Sequence, residues 1–201
     1  MKIISQNNCN VVEIVQALQN GHTLVYPTET CYGLGCDATN AAAVARIFDI
    51  KKRQKHKPVL VIMANREMAM EYIAWNPTIE RLADRYWPGA LTIVAPPNDA
   101  GCFAPGILGP RGMAAFRVTS HPFAQELCAA LGRPLVSTSA NIASLESPYD
   151  IQEVLSMFAE TLPQPDIVID AGSLPHESPS TIVRVVDDAI EVLRQGEVIV
   201  K

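Results

Sequence analysis

Val59-Leu60-Val61-Ile62-Met63 is an uninterrupted apolar run, which is typical of a β-strand that is buried on both faces. The segment before it, residues 40–50, repeats Val44, Ile47 and Phe48 at the spacing of one helix face. Together they predict a helix followed by a strand in the middle of a sheet. This pair is the unit from which α/β folds are built.

The same alternation extends along the chain in both directions. Further helices are predicted at residues 11–18, 66–73, 78–86, 122–131 and 151–158. Further strands are predicted at residues 23–26, 91–95, 114–118, 135–137, 167–170, 181–186 and 190–193. Because no helix separates the last strands, the sheet is expected to be mixed. The connections are short, which indicates a single domain over residues 1–201.

The composition is that of an ordinary globular protein, with 201 residues, 48% of them hydrophobic, and a net charge of −5. There is no apolar run of the ~20 residues that a membrane span requires, and no apolar signal segment, so we expect a cytoplasmic protein without membrane contact. The five cysteines lack CxxC spacing, which predicts reduced thiols and no zinc site. The acidic total argues against a protein that coats nucleic acid.

A cluster of positive charge lies between the helix predicted at residues 40–50 and the strand predicted at residues 59–63. Five cationic side chains fall within Lys51-Lys52-Arg53-Gln54-Lys55-His56-Lys57. Mutual repulsion disfavours such clustering unless the charges are well solvated or face an anion. The run is therefore either a solvated helix end or part of a phosphate site. Its position between a helix and a buried strand, where α/β proteins build ligand loops, favours the phosphate.

Two other segments place polar groups after predicted strands. Residues 26–35 combine hydroxyls, one carboxylate, Gly33 and Gly35, and the glycines serve either a close approach to a ligand or unusual backbone dihedrals in a tight connection. Ser137-Thr138-Ser139-Ala140-Asn141 follows a buried strand and is either a ligand contact or a turn bonded to its own backbone. The sequence contains no GxGxxG and no GxxxxGK[ST], so the common nucleotide-binding signatures are absent.

An arginine in an apolar strand is the remaining candidate for anion binding. Arg117 needs an anionic partner there, which is either an internal carboxylate or a ligand. The four histidines have no nucleophile beside them in sequence, and GxSxG is missing, so a Ser-His-Asp hydrolase is poorly supported. The candidate site consists of cations, hydroxyls and an amide, which suit the holding of anions.

Residues 26–35, the Lys51-x-Arg53 pair and Ser139-x-Asn141, in this order, resemble the YrdC-like family, and specifically its short, TsaC-type threonylcarbamoyl-AMP synthases. Residues 116–122 and Arg194-Gln195-Gly196 also fit the family pattern. The resemblance extends over nearly the whole chain. It implies an open, twisted mixed sheet with flanking helices and a concave basic cavity.

The resemblance also implies the reaction: L-threonine, bicarbonate and ATP, with Mg²⁺ and no tightly bound cofactor, give threonylcarbamoyl-adenylate and pyrophosphate. This nucleotidyltransferase would supply separate transferase proteins that modify tRNA. Four residues would be catalytic: Lys51, Arg53, Ser139 and Asn141. ATP would be held by these four with Lys57, Ser147 and Arg194. Threonine would be held by Thr30, Arg117, Ser137 and Ser180.

The sequence departs from the family pattern at three places. Many relatives read Ser-Ala-Asn-x-Ser-Gly, where this chain has Ser139-Ala140-Asn141-Ile142-Ala143-Ser144. Ile62 stands where some longer relatives have a histidine, and the chain ends soon after Arg194, without their second domain. The alternative function is a module of the same fold that binds RNA, weakly, or a nucleotide without turnover.

Overall fold

The computed structural model describes residues 1–54, 56–109 and 111–201, so Lys55 of the basic run lies outside the described residues. The described residues form six α-helices: α1 (Val11–Gln19), α2 (Ala41–Lys51), α3 (Arg66–Tyr72), α4 (Pro77–Tyr86), α5 (Pro122–Leu131) and α6 (Ile151–Phe158). They also form eleven strands: β1 (Lys2–Ser5), β2 (Leu24–Pro27), β3 (Tyr32–Gly35), β4 (Val61–Met63), β5 (Leu91–Ala95), β6 (Ala114–Val118), β7 (Leu135–Val136), β8 (Thr138–Ser139), β9 (Ile167–Asp170), β10 (Thr181–Val186) and β11 (Ala189–Arg194).

Local side chains determine where most helices begin. An asparagine side chain accepts a hydrogen bond from the first turn of each of the helices α1 to α4, at Asn10, Asn40, Asn65 and Asn76. These bonds satisfy amide groups that have no partner inside the helix. Helix α5 ends at Gly132, whose positive φ of 66° lets the chain leave the helix without strain.

The strands divide between two mixed sheets. The first has the order β1-β9-β2-β3-β8, and the second has the order β11-β10-β5-β6-β4-β7. Parallel pairs such as β4 with β6 and antiparallel pairs such as β5 with β6 occur in the same sheet. The mixed α/β class is thereby confirmed. The strands form two sheets, where the sequence led us to expect one.

The two sheets share a hydrophobic core. Its largest cluster joins Val25 and Leu34 of the first sheet to Val61, Ile93 and Phe116 of the second, all fully buried. A second cluster packs α1 and α5 together against the other side of β2 and β4. The two clusters therefore join the sheets, and this apolar packing positions the polar strand ends beside one another.

Most predicted elements lie where the sequence places them. The predicted bounds of β5, β6, α6, β9 and β10 agree with the structure to the residue. The strand predicted at residues 59–63 is shorter, since only Val61–Met63 joins the ladder, and Leu60 instead lines a cavity. Strands β1, β3 and β8 were not predicted.

No helix in the described residues is long and apolar enough to cross a membrane. All five cysteines are free. Cys36 and Cys128 are buried, Cys9 and Cys31 are partly buried, and Cys102 is exposed.

Candidate active site

Two adjoining cavities occupy the region where the sheets meet. The first, of about 300 Å³, is lined by residues from strands of both sheets, including Gly33, Arg117 and Ser139. The second, of about 340 Å³, lies beside the end of α2. Arg53 and Ser139 line both. The two cavities therefore form one continuous site with two compartments.

Every site residue predicted from the sequence lines one compartment or the other. The first contains Thr30, Arg53, Arg117, Ser137, Ser139, Ser147, Ser180 and Arg194. The second contains Lys51, Arg53, Lys57, Ser139 and Asn141. Residues up to 164 positions apart in sequence are thus brought together. The residues assigned to threonine are all in the first compartment, and so are Ser147 and Arg194, which were assigned to ATP.

Arg117 provides the buried positive charge of the first compartment. Its side chain is only 4% exposed, and Nε lies 3.4 Å from Oε1 of Glu29. This is an ion pair without hydrogen-bond geometry, since neither atom has a hydrogen-bond partner among the described residues. The two alternatives for Arg117 therefore coexist: it has an internal carboxylate and it also lines the cavity.

Lys51 is buried, with 2% of its surface exposed, at the last position of α2. Its ammonium donates to Ser139 O at 2.5 Å, to Asn141 O at 2.9 Å and to Asn141 Oδ1 at 2.8 Å. Burial, and secondly the nearby Arg53, lower the pKa of Lys51 to about 7. The three bonds of the ammonium connect the loop after β8 to the end of α2. Lys51 also lines the second compartment.

The side chain of Asn141 is held from three directions. Its Oδ1 accepts from Lys51 and from Ser139 Oγ, the latter at 2.6 Å, and its Nδ2 donates to Leu145 O. These bonds occupy both lone pairs of Oδ1 and one of the two N–H groups of Nδ2, so they hold the Asn141 side chain in place at the wall of the compartment. Ser139 Oγ keeps free lone pairs, which can accept a bond from a ligand or a hydrated ion.

The remaining cations of the basic run differ in their contacts. Arg53 donates from Nε to Lys57 O at 3.0 Å and from Nη2 to Pro58 O at 3.1 Å. These bonds fix its guanidinium at the boundary of the two compartments, and burial lowers its pKa. Lys52 is exposed, adopts a positive φ of 50° after α2 and also borders the second compartment, as does Lys57.

Hydroxyl groups form another part of the wall of the first compartment. Thr30 and Ser180 are buried and bonded to other hydroxyls, Thr28 at 3.1 Å and Thr92 at 2.9 Å. Arg194 donates twice to Ser180 O, at 3.1 Å from Nε and 2.7 Å from Nη2. Burial, and then repulsion from Arg117, lower the pKa of Arg194. Both arginines thus face the same space, which favours an anion there.

The loop after Asn141 departs from the family pattern, and its backbone shows why glycine is common there. Ser144 stands at the glycine position and has a positive φ of 75°. A non-glycine residue is strained in this conformation. The loop nevertheless closes on the site, because Ala143 N donates to Lys51 O at 2.8 Å.

The glycines of residues 26–35 act through close packing. Neither Gly33 nor Gly35 has a positive φ, so the unusual dihedrals considered from the sequence do not occur. Both lie in β3, where a Cβ on Gly35 would approach Val136 O to 2.0 Å. Gly33 pairs with Ser139 and lines the first compartment. Ile62, the site of the missing histidine, is fully buried beside Arg117 in the ladder.

Several lining residues were not predicted from the sequence. They include Thr28, Cys31 and Tyr149. Burial raises the pKa of the Cys31 thiol, so it is not an activated nucleophile. Tyr149 stacks on His176 at a centroid distance of 3.8 Å. Tyr149 directly precedes Asp150, the N-cap residue of α6. No pattern in the sequence distinguished it from an ordinary loop residue.

Residues for a protein-held metal ion are not clustered here. Across residues 1–54, 56–109 and 111–201, no group of three or more His, Cys, Asp or Glu side chains could hold one. The neutral donor atoms that the site offers are hydroxyl oxygens such as Ser139 Oγ, because Asn141 Oδ1 already accepts two hydrogen bonds. Such neutral donors suit a hydrated Mg²⁺ that arrives on a nucleotide better than a resident metal.

The family model Sua5/YciO/YrdC, described as "Telomere recombination", matches residues 16–196. The threonylcarbamoyl-AMP synthase of Aliivibrio fischeri is 33% identical over 190 residues, which cover 93% of this chain and 99% of that protein.

Two solved structures have the same fold. The crystal structure of P. abyssi Sua5 complexed with L-threonine is 29% identical, with a TM-score of 0.86. The match covers 97% of this chain, which spans 57% of the length of that protein. E. coli YciO is 26% identical, with a TM-score of 0.83, over 97% of this chain and 94% of its own length.

Proposed function

The chain belongs to the Sua5/YciO/YrdC family, and from this premise we propose that it is a threonylcarbamoyl-AMP synthase. It condenses L-threonine, bicarbonate and ATP into threonylcarbamoyl-adenylate, with release of pyrophosphate and water. Transfer of an adenylyl group to a carbamate makes it a nucleotidyltransferase. The observation that carries the proposal is the meeting of all predicted threonine and ATP residues in two joined compartments.

The two compartments suit two different substrates. In the first, the buried guanidinium of Arg117 binds the threonine carboxylate, and the hydroxyls of Thr30, Ser137 and Ser180 surround the rest of the amino acid. In the second, Lys51, Arg53 and Lys57 face the phosphates of ATP. Ser147 and Arg194 border the first compartment and contact the nucleotide from there.

The reaction proceeds by addition and substitution. The neutral amine of threonine adds to bicarbonate with loss of water and forms a carbamate. A carbamate oxygen then attacks the α-phosphorus of ATP, and the bond to the β-phosphate oxygen breaks. Pyrophosphate leaves with the electron pair of that bond.

Charge neutralisation and positioning supply the catalytic effect. Three anions (a carboxylate, a carbamate and a triphosphate) must approach one another, so their mutual repulsion is the main barrier. Arg53 stands at the boundary, where the carbamate and the α-phosphate meet. Ser139 and Asn141, together with Lys51, hold this boundary rigid. Mg²⁺, when bound with ATP, offsets part of the phosphate charge.

The product is an activated adenylate that separate transferase proteins use to modify tRNA. Such a role places the protein in the cytoplasm, where tRNA is found. The alternative of an RNA-binding module has weaker support. Lys52 and Lys57 are exposed, but Arg117 and Lys51 are buried inside the site, whereas RNA binding relies on cations and aromatic rings at an accessible surface.

Pyrophosphate release from ATP tests the proposal. The purified protein with Mg²⁺ should release pyrophosphate only when both threonine and bicarbonate are present. Omission of either substrate should reduce the rate to background. Release without threonine, or no release with all substrates present, would show that the protein is not this synthase. L-Alanine, which lacks the hydroxyl and methyl that the first compartment surrounds, provides a matched control substrate and should react slowly.

A further inference from the structure

A carboxylate lies behind the arginine of the first compartment. Glu29 follows β2, and its Oε1 lies 3.4 Å from Arg117 Nε. Both atoms are buried and lack a hydrogen-bond partner among the described residues. Glu29 itself does not line either compartment, whereas Arg117 does. The carboxylate therefore meets the Nε side of the guanidinium.

Thr119 anchors the carboxylate in this place. Its Oγ1 donates to Glu29 Oε2 at 2.6 Å and accepts from His121 N at 3.2 Å. Thr119 is completely buried at the end of β6, two residues after Arg117. One oxygen of Glu29 is thus fixed by the same strand that carries the arginine. The other oxygen lies 3.4 Å from Arg117 Nε.

This arrangement determines which part of Arg117 faces a ligand. Since Nε meets Glu29, the two terminal nitrogens remain for the cavity, and they form the fork that binds a carboxylate with two parallel bonds. An arginine side chain has considerable rotamer entropy, and a contact at its Nε side adds to the packing that fixes the orientation of the guanidinium. The Glu29–Thr119 pair provides that restraint. Glu29 Oε2 accepts its hydrogen bond from a protein group, Thr119, and Glu29 is not among the residues that line either compartment.

We propose that Glu29 is a positioning residue that orients Arg117 for the carboxylate of the amino-acid substrate. This inference rests on the proposed function, because it takes threonine as the ligand of Arg117. Simple electrostatics predicts the opposite effect of removing Glu29. Deletion of a negative charge near Arg117 should strengthen anion binding by long-range attraction, whereas loss of orientation should weaken it. The sign of the change therefore distinguishes the two.

Titration of L-threonine into the protein by calorimetry tests the inference. Glu29→Gln should weaken threonine binding about tenfold, as expected when a charge-assisted contact is misaligned. In an Arg117→Lys background, the same change should matter less than twofold, because Glu29 acts through the guanidinium. The KM for ATP should not rise in Glu29→Gln. Glu126→Gln, on the exposed side of α5, is the matched control and should bind like the wild type.

The change in threonine affinity of the Glu29 variants either supports or overturns the positioning role. Tighter threonine binding by Glu29→Gln, or unchanged binding, overturns the positioning role. An equal loss in both backgrounds also overturns it, because Glu29 would then contact threonine directly. If Glu29→Gln unfolds, Thr119→Val releases the carboxylate while nearly preserving volume, and it should weaken threonine binding several-fold at an unchanged KM for ATP. Wild-type protein without threonine-dependent pyrophosphate release would refute the proposed function, whereas an active wild type with an unaffected Glu29→Gln would refute only the inference.

Discussion

Replacement of Lys51 by methionine should destabilise the fold as well as remove activity. The ammonium is 2% exposed and satisfies three acceptors. Without it, Asn141 Oδ1 still accepts from Ser139 Oγ, and Ser139 O still accepts from Asn141 N. Only Asn141 O loses its sole hydrogen-bond donor among the described residues. A buried carbonyl without a partner costs about 1–3 kcal/mol.

Two further contributions to the free energy of unfolding have opposite signs and partly cancel. Two acceptors keep one bond and lose another, while methionine removes the penalty of burying a charge. We therefore expect the free energy of unfolding to fall by about 2 kcal/mol, which for a chain of this size lowers Tm by about 4–8 °C.

Chemical and thermal unfolding, followed by circular dichroism, measure this change. Lys52→Met is the matched control, because its side chain is exposed one residue later, and surface changes of this kind alter stability by less than about 0.5 kcal/mol. If Lys51→Met were as stable as the wild type and merely inactive, the ammonium would serve the substrate alone. Its role in connecting the loop after β8 to α2 would then be wrong.

Three further predictions concern the second compartment. Ser144→Gly should raise the free energy of unfolding by about 0.5–1 kcal/mol, because it relieves a φ of 75°, whereas Ser156→Gly within α6 should lower it, both measured by urea unfolding. Since the pKa of Lys51 is about 7 in the free protein and phosphate raises it, ATP binding at pH 8 should take up about one proton, and calorimetry in two buffers that gives zero uptake would contradict this. Arg53→Ala should reduce pyrophosphate release at least a hundredfold, and Lys52→Ala less than threefold; equal losses would indicate a diffuse basic surface.

The sequence predicted which polar residues converge better than it predicted the sheets. Chemical groups such as Lys51, Arg117 and Ser139 are visible in sequence, and their order along the chain resembled one family. Their convergence depends on strand ends, which alternating elements place at a common edge. The pairing of strands depends on contacts between distant segments, so the division into two sheets could not be read from local patterns.

Strand β3 shows why a local reading fails. Tyr32-Gly33-Leu34-Gly35 contains two glycines, which predict a turn when taken alone. The structure requires a small residue at position 35 because Val136 O lies so close to the backbone of β3 that a Cβ on Gly35 would collide with it. The requirement comes from a segment a hundred residues away. Strand β1 is similar, since it is exposed and gains its order from pairing with β9.

The role of Lys51 was likewise only half visible. A lysine at a helix end after a buried face suggests a phosphate ligand, and it does line the second compartment. Its burial and its three protein acceptors depend on where the loop after β8 passes. That loop is positioned by the β3–β8 pairing, which the sequence did not indicate.

The most direct test of the account follows the carbon of labelled bicarbonate. The central claim is that one site joins threonine, bicarbonate and ATP into a single adenylate. With ATP, Mg²⁺ and threonine present, one labelled carbon should enter a threonine-containing adenylate, identified by mass spectrometry, for each pyrophosphate released. Pyrophosphate released without incorporation of label, or label that enters an adenylate in the absence of threonine, would contradict it.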